Sequence, residues 1–448
     1  MTGPPDLEST PLGDGPGPGH PDTARPVPVA SPAVEALRTR LAAVPDTEHP
    51  SLIADFWTRA REHGTPLVEP LPGDRAHRAA TFLWRGDRDT RRVLLVANRI
   101  GDREHLVDSL LSPLPGTDIW HLSFRLRADH RGSYRIAPDS STGELPADPA
   151  ARQQRLRTLA GLATADPLNA ETLPSRWLDV GGSVFALPDA PPQPWAGRRP
   201  AVPRGTVEHH RVTSTALACE REVRVYLPPG RGHRDLPVLV LCDGDMWFGR
   251  LAFQDTLDAL IADGAVPPLA VLAPHAVDNR TRWRELGGRD SCTGFLADEV
   301  LPWATGRWPL TADPARTVVA GQSLGGVTAL YAGLLRPDRF GNVLAHSASL
   351  WWRPGLPPGV PKSSPDGPPW LVSRFAAAER RPLRVRLDVG LHEGTMLTQN
   401  RALHDVLRSL RYDVTHTEFN GGHDYACWRG CLADGLVATV GGGATAPA

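Results

Sequence analysis

The sequence predicts an α/β protein whose larger domain is a mostly parallel sheet flanked by helices, preceded by a smaller β-sandwich-like domain. Three observations predict it. From about Thr206 onward, short apolar strand-like runs alternate with segments whose apolar residues recur every three or four positions, the pattern of βαβ units. Before that point strand-like runs follow one another with only Gly, Pro and Asp turns between them. The chain is 448 residues long, more than one hydrophobic core usually covers, so two domains are the natural count.

Residues 1–30 are rich in Pro, Gly and Asp and cannot bury enough apolar surface to offset their ordering entropy, so a disordered tail is expected there. The first domain is expected over 31–187. Val34, Leu37 and Leu41 stand at helical spacing and Phe56-Trp57 continue a second helical segment. Strands are predicted at Ala80–Trp84, Arg92–Ala97 and Asp118–Leu126, and a helix near Gln153–Leu162. Residues 188–205 hold six prolines (Pro188, Pro191, Pro192, Pro194, Pro200 and Pro203) and are expected to form a linker. The second domain, 206–441, carries predicted strands at Glu222–Leu227, Val238–Cys242, Leu269–Ala273, Thr317–Ala320, Val343–His346, Leu383–Val389 and Val414–Phe419. Leu251–Ile261 and Met396–Leu410 read as helices between them.

Composition excludes several functions. A formal net charge of -1 gives no global field to draw nucleic acid or an anionic membrane, so neither partner is expected. No run approaches the roughly 20 apolar residues of a membrane span, and the N-terminus lacks the basic start and apolar stretch of a signal peptide. Five cysteines, an odd number with no C-x-x-C spacing, point to neither a disulfide framework nor a structural zinc site. A cytoplasmic protein is the expectation.

The chemistry centres on Gly321-Gln322-Ser323-Leu324-Gly325-Gly326, which follows the apolar run Thr317–Ala320 and precedes a helical pattern. A strand, a glycine-bounded serine and a helix make a nucleophile elbow, in which side chains at 321 or 325 would collide with the neighbouring turn. This assigns the α/β-hydrolase fold, with Ser323 as nucleophile. A serine hydroxyl needs a base within hydrogen-bond reach, and the fold places its histidine after the last strand. His423, in Asn420-Gly421-Gly422-His423-Asp424, stands there. The acid that orients the imidazole should follow the strand Leu383–Val389. Glu393 on the loop is preferred, with Asp388 at the strand end as the alternative. The oxyanion donors are expected to be the backbone N–H groups of Leu324 and of Asp245, the latter in the loop after Val238–Cys242. Asp243 should order that turn. Without histidines at ligand spacing, no metal site is expected.

These residues resemble the enterochelin (ferric enterobactin) esterases. The motifs that carry the resemblance in the second domain are 241–245 (LCDGD), 313–323 (DPARTVVAGQS), 339–343 (RFGNV), 347–352 (SASLWW), 421–424 (GGHD) and 427–430 (CWRG). In the first domain they are 81–85 (TFLWR), 116–120 (GTDIW), 131–134 (RGSY) and 165–169 (ADPLN). The resemblance implies a ferric catecholate siderophore as partner: a cyclic triester of serine whose catechol arms hold ferric iron. The iron would travel with the substrate, and no cofactor of the enzyme's own is implied. It also implies recognition groups for an anionic tris-catecholate, for which Arg282 and Arg284 are candidates, and aromatic surfaces for the catechol rings, for which Trp352 and Trp428 are candidates. The elbow alone leaves open a feruloyl-type esterase or a mycolyl-transferase-like acyltransferase. A siderophore- or glycan-binding protein on the same scaffold would keep the fold without the chemistry.

Overall fold

The computed structural model describes residues 25–177, 179–357 and 367–441. Most of the expected N-terminal tail therefore lies outside the described residues. Among those described, one compact unit comprises 25–191 together with Asn420–Ala426, and the other comprises Pro192–Phe419 with 427–441.

The first unit is built on two antiparallel sheets. One contains β1 (Val27–Pro28), β2 (Leu67–Leu71), β3 (Asp74–Arg85), β5 (Ser112–Pro113) and β6 (Ile119–Arg127), in the order β1-β6-β3-β2 with β5 also on β6. The other runs β4 (Arg92–Ala97), β7 (Arg131–Asp139), β9 (Gly182–Ala186), β8 (Thr172–Leu173). Alternation along the strands divides their side chains between layers. Phe82 and Phe124 from the first sheet meet Val93, Leu95, Tyr134, Ile136 and Phe185 from the second in one core. There the Phe82 ring stands edge-on to Tyr134, with centroids 4.8 Å apart. Leu83 and Ile119, on the opposite face, pack instead with α1 (Pro32–Ala42) and α2 (His49–His63). Leu94 and Ala137 likewise turn outward to α3 (Pro149–Ala160). Ser31 and Asp148 cap α1 and α3, each accepting a first-turn N–H, with proline as the first helical residue.

Two readings of this part are corrected. Val27–Pro28, placed in the tail, pair with Phe124 and Arg125 of β6. β7 and β9 were not anticipated, because their inward residues alternate with arginine, serine and glycine and form no apolar run. Residues 188–205 do carry neither helix nor strand. Their later part is nonetheless fixed to the second unit, where Trp195 and Arg199 both bond Asp263.

The second unit is an eight-stranded sheet: β10 (Thr206–Ser214), β11 (Cys219–Leu227), β13 (Ala270–Pro274), β12 (Val238–Leu241), β14 (Thr317–Gln322), β15 (Asn342–His346), β16 (Arg384–Gly390) and β17 (Asp413–Phe419), in that spatial order. β10 and β11 form an antiparallel hairpin, β11 pairs antiparallel with β13, and every pairing from β13 to β17 is parallel. β12, β13, β14 and β15 are buried along their whole length, as expected of a parallel sheet covered on both faces. The helices are α4 (Gly244–Trp247), α5 (Phe253–Ala262), α6 (Asn279–Glu285), α7 (Asp290–Gly294), α8 (Leu301–Thr305), α9 (Leu324–Leu335), α10 (Trp370–Ala377), α11 (Thr395–Ser409) and α12 (Tyr425–Val440), with a π-helical turn, Phe295–Val300, between α7 and α8. The register sets Gln322 beside His346 and His346 beside Asp388. The carboxyl ends of β14, β15 and β16 therefore share one edge of the sheet, the edge where open α/β sheets place their ligands.

Candidate active site

Ser323 sits between β14 and α9 at φ 60°, ψ -120°, a backbone conformation that an L residue adopts only under compulsion. The compulsion is steric closure around it. A Cβ at Gly321 would lie 2.3 Å from the carbonyl oxygen of Gly325, and one at Gly326 3.1 Å from Ala348 Cα. With both positions bare, the Ser323 N–H donates to His346 O at 3.0 Å, and its carbonyl accepts from Ser349 N at 3.1 Å. The half-buried hydroxyl lies 3.0 Å from the hydroxyl of Ser349, a residue the motif reading passed over although it belongs to the 347–352 segment. Leu324 opens α9, so its N–H has no carbonyl one turn behind it and the positive end of the helix faces the serine.

The loop after β12 is held by charge. Asp243 adopts a left-handed conformation (φ 66°) and is buried. Arg282 grips it with a fork, Nε to Oδ1 at 2.9 Å and Nη2 to Oδ2 at 2.8 Å, while Gln322 Nε2 reaches Oδ2 at 2.6 Å. The same loop needs glycine at 244, where a Cβ would lie 2.1 Å from Ala273 O. Asp245 uses Oδ1 to accept the Ala276 N–H at 2.9 Å. One network thus joins the Asp243–Asp245 loop to Gln322, the residue just before the nucleophile.

Arg282, a candidate substrate contact, has a side chain that is 10% exposed and pairs with Asp243 through Nε and Nη2. The adjoining cavity, about 30 Å3, is lined by Asp243 and Arg282 together with the second buried pair, Arg221 and Glu285. Arg284 is different: its side chain is 67% exposed, with one nitrogen 3.4 Å from Glu285. The two candidate tryptophans are both buried. Trp352 is 1% exposed, wedged beneath Gly287 and Gly288 and edge-on to Trp370. Trp428 is 4% exposed and donates its Nε1 to Ser347 Oγ at 2.8 Å.

The two candidate acids are separated by their partners. Asp388 is fully buried at the end of β16, where Arg386 Nε meets both oxygens at 3.1 Å and His346 Nδ1 meets Oδ2 at 3.1 Å. Burial would raise its carboxyl, but the hydrogen bond from His346 and the Arg386 charge hold it below the usual carboxylate range. Glu393, also fully buried, accepts from Ser347 Oγ at 2.6 Å and from Gly390 N at 2.8 Å. A chain Trp428–Ser347–Glu393 therefore fixes the carboxylate.

The chain leaves β17 into the segment Asn420–Ala426, a loop carrying His423 and the first residues of α12, which belongs to the first unit. His423 is largely buried, and its carbonyl accepts Asn98 Nδ2 at 2.9 Å. Among the described residues no group of three or more His, Cys, Asp or Glu side chains could hold a metal ion, and no helix is long and apolar enough to cross a membrane.

A parallel sheet that ends in a strained serine, with a helix opening behind it, is the architecture of esterases of the α/β-hydrolase type, and this chain is of that class. A family model described as a putative esterase matches residues 214–439, and one described as the N-terminal part of enterochelin esterase matches 79–196. The chain belongs to the enterochelin esterase family. It is 36% identical over 415 residues to the iron(III) salmochelin esterase of Escherichia coli O6:H1, covering 90% of this chain and 97% of that one. It is 30% identical over 376 residues to the iron(III) enterobactin esterase of Escherichia coli K12, covering 80% and 90%. Among solved structures, the ferric enterobactin esterase of Salmonella typhimurium matches with a TM-score of 0.74 at 30% identity, covering 86% of this chain and 98% of that one. The Shigella flexneri enterobactin esterase determined in the presence of enterobactin matches with a TM-score of 0.71 at 29% identity, covering 86% and 97%.

Proposed function

We propose that the protein hydrolyses the ester bonds of a ferric tri-catecholate siderophore through a serine acyl-enzyme. Ser323 is the nucleophile, His423 the general base and Glu393 the acid that orients it. The N–H groups of Leu324 and Asp245 are the oxyanion donors. The observation that carries the reading is the strained Ser323 turn, whose backbone is otherwise costly to keep. The printed activities of the relatives support the substrate class.

In the first half-reaction Ser323 Oγ bonds to the ester carbonyl carbon while His423 takes its proton. The negative oxygen that forms is met by the two backbone N–H groups and by the positive end of α9. Collapse breaks the bond to the serine-derived alkoxide of the trilactone, which receives the proton from His423. In a ring this leaving group stays attached, so the first acyl-enzyme holds an opened trimer. Water, deprotonated by His423, then releases the linear acid. Opening the ring removes the preorganisation that holds six catecholate oxygens on one iron, and the metal is then released more easily. The ferric ion is cargo in this scheme.

Asp388 is set aside as the acid because Arg386 and His346 occupy its oxygens. Arg284 is retained as a contact for the anionic substrate, supported by its exposed guanidinium. A cytoplasmic location is supported by the five cysteines, an odd number with no C-x-x-C spacing. The test is incubation with ferric enterobactin, following linear dihydroxybenzoylserine products by mass spectrometry, beside the Ser323→Ala variant. Cleavage by the wild type and a drop of at least about 10^3-fold in the variant are expected. No cleavage of any tri-catecholate lactone defeats the substrate class. Undiminished turnover by Ser323→Ala defeats the nucleophile.

A further inference from the structure

We infer that Asn98, at the end of β4, is a positioning residue for catalysis, and that the β4 and β7 strands of the first unit hold the His423 loop in its working place. The inference rests on the reading of His423 as general base. Within the first unit, Asn420–Ala426 is fastened at both ends. At its start, Asn420 O accepts the Arg131 N–H at 3.0 Å. The Asn420 side chain donates to Asp129 Oδ1 at 2.5 Å and meets His130 Nδ1 at 3.0 Å. At the histidine itself the hydrogen bonds form a ring. Asn98 N donates to Ser133 O at 2.9 Å, Ser133 N donates to Asp424 Oδ2 at 2.7 Å, and Asn98 Nδ2 donates to His423 O at 2.9 Å. Ser133 and Asn98 continue the β4–β7 pairing by one rung, so His423 and Asp424 are docked on a sheet edge.

The approach is close enough to dictate sequence. A Cβ at Gly422 would lie 2.5 Å from Arg99 Cγ and 2.6 Å from Asn98 Oδ1, so only glycine lets the loop reach β4. The Asn98 amide has one useful orientation, because turning it over would set its oxygen against the His423 carbonyl. It touches the histidine's backbone and no reacting atom. Its contribution is the placement of the imidazole, and misplacement of a catalytic group by about 1 Å costs on the order of 10^2-fold.

The test is the Asn98→Ala variant of the full chain, assayed with a ferric tri-catecholate lactone and with p-nitrophenyl acetate. Positioning predicts that kcat falls about 10- to 100-fold on both esters while KM stays within about twofold. A kcat unchanged on both esters, or a defect confined to KM for the lactone, overturns the inference. If Asn98→Ala does not fold, Asn420→Ala releases the other end of the loop and must show the same split. A His423→Ala enzyme that keeps its turnover overturns the base assignment and this inference with it. An inactive His423→Ala enzyme beside Asn98→Ala of unchanged kcat overturns the inference alone.

Discussion

Glycine at 321 is a steric requirement of the Ser323 turn, since the space for its Cβ is already filled by the Gly325 carbonyl. Gly321→Ala is therefore expected to lose at least about 10^2-fold in turnover, because the elbow must shift to accommodate one methyl. Esterase kinetics on a small aryl ester would measure it. The carboxylates are expected to part company under equally conservative change. Glu393→Gln should lower kcat by about 10^2- to 10^4-fold with the fold intact. Asp388→Asn leaves Arg386 and His346 without their anion, so it should lower the melting temperature more than it lowers kcat. Removing the Asp243 fork by Arg282→Ala should cost about 3–5 kcal/mol, seen in denaturant unfolding, where a substrate contact would change only KM. Ser323 was legible in the sequence because its turn imposes glycines at fixed, adjacent positions. The pairing of Arg282 with Asp243 was not, because the two lie 39 residues apart and only the folded loop reveals it. The burial of Trp352 and Trp428 was equally hidden, since a tryptophan beside a site motif reads alike whether its ring is exposed or in the core.

β17 forms one edge of the large sheet, and α11 is tied to it by Arg401, whose Nε and Nη2 reach the two oxygens of Glu418 at 2.6 and 2.7 Å. The hydrogen bond from Arg401 lowers the Glu418 carboxyl from 4.5 to about 2. The folded protein thus binds fewer protons at this group than the unfolded chain between these values, and stability falls as pH drops through that window. Glu418→Gln should flatten the acid side of the melting temperature profile below pH 4.5, and an unchanged slope would refute the pairing. In the first unit, Phe82→Ala should cost about 3–5 kcal/mol, since its ring joins both sheets at their common core. The parallel strands β12 to β15 could be read in advance because burial on both faces leaves nearly continuous apolar runs. β10 could not: Thr206–Ser214 is a half-exposed edge strand with two adjacent histidines between Glu208 and Arg211. Its partner β11 was anticipated over Glu222–Leu227.

At the scale of the whole chain, membership of the enterochelin esterase family rests on similarity over 90% of its length, and the motifs of both halves resemble that family. The division of the chain was less accessible. Read along the sequence, 420–426 belongs with the strands before it, yet the loop groups with the first unit through Asn98, Asp129, His130 and Ser133. Contacts spanning about 300 positions leave no local periodicity to read. The claim that depends on all these scales is that Ser323 itself carries the opened siderophore, and it can be observed directly. The enzyme would be mixed with a ferric tri-catecholate lactone, quenched in acid within the first turnover, digested and mapped by mass spectrometry. An adduct of the ring-opened trimer on the peptide containing Ser323, absent from Ser323→Ala, is the predicted result. Linear products forming while Ser323 stays unmodified, or an adduct mapped to another residue, would contradict it.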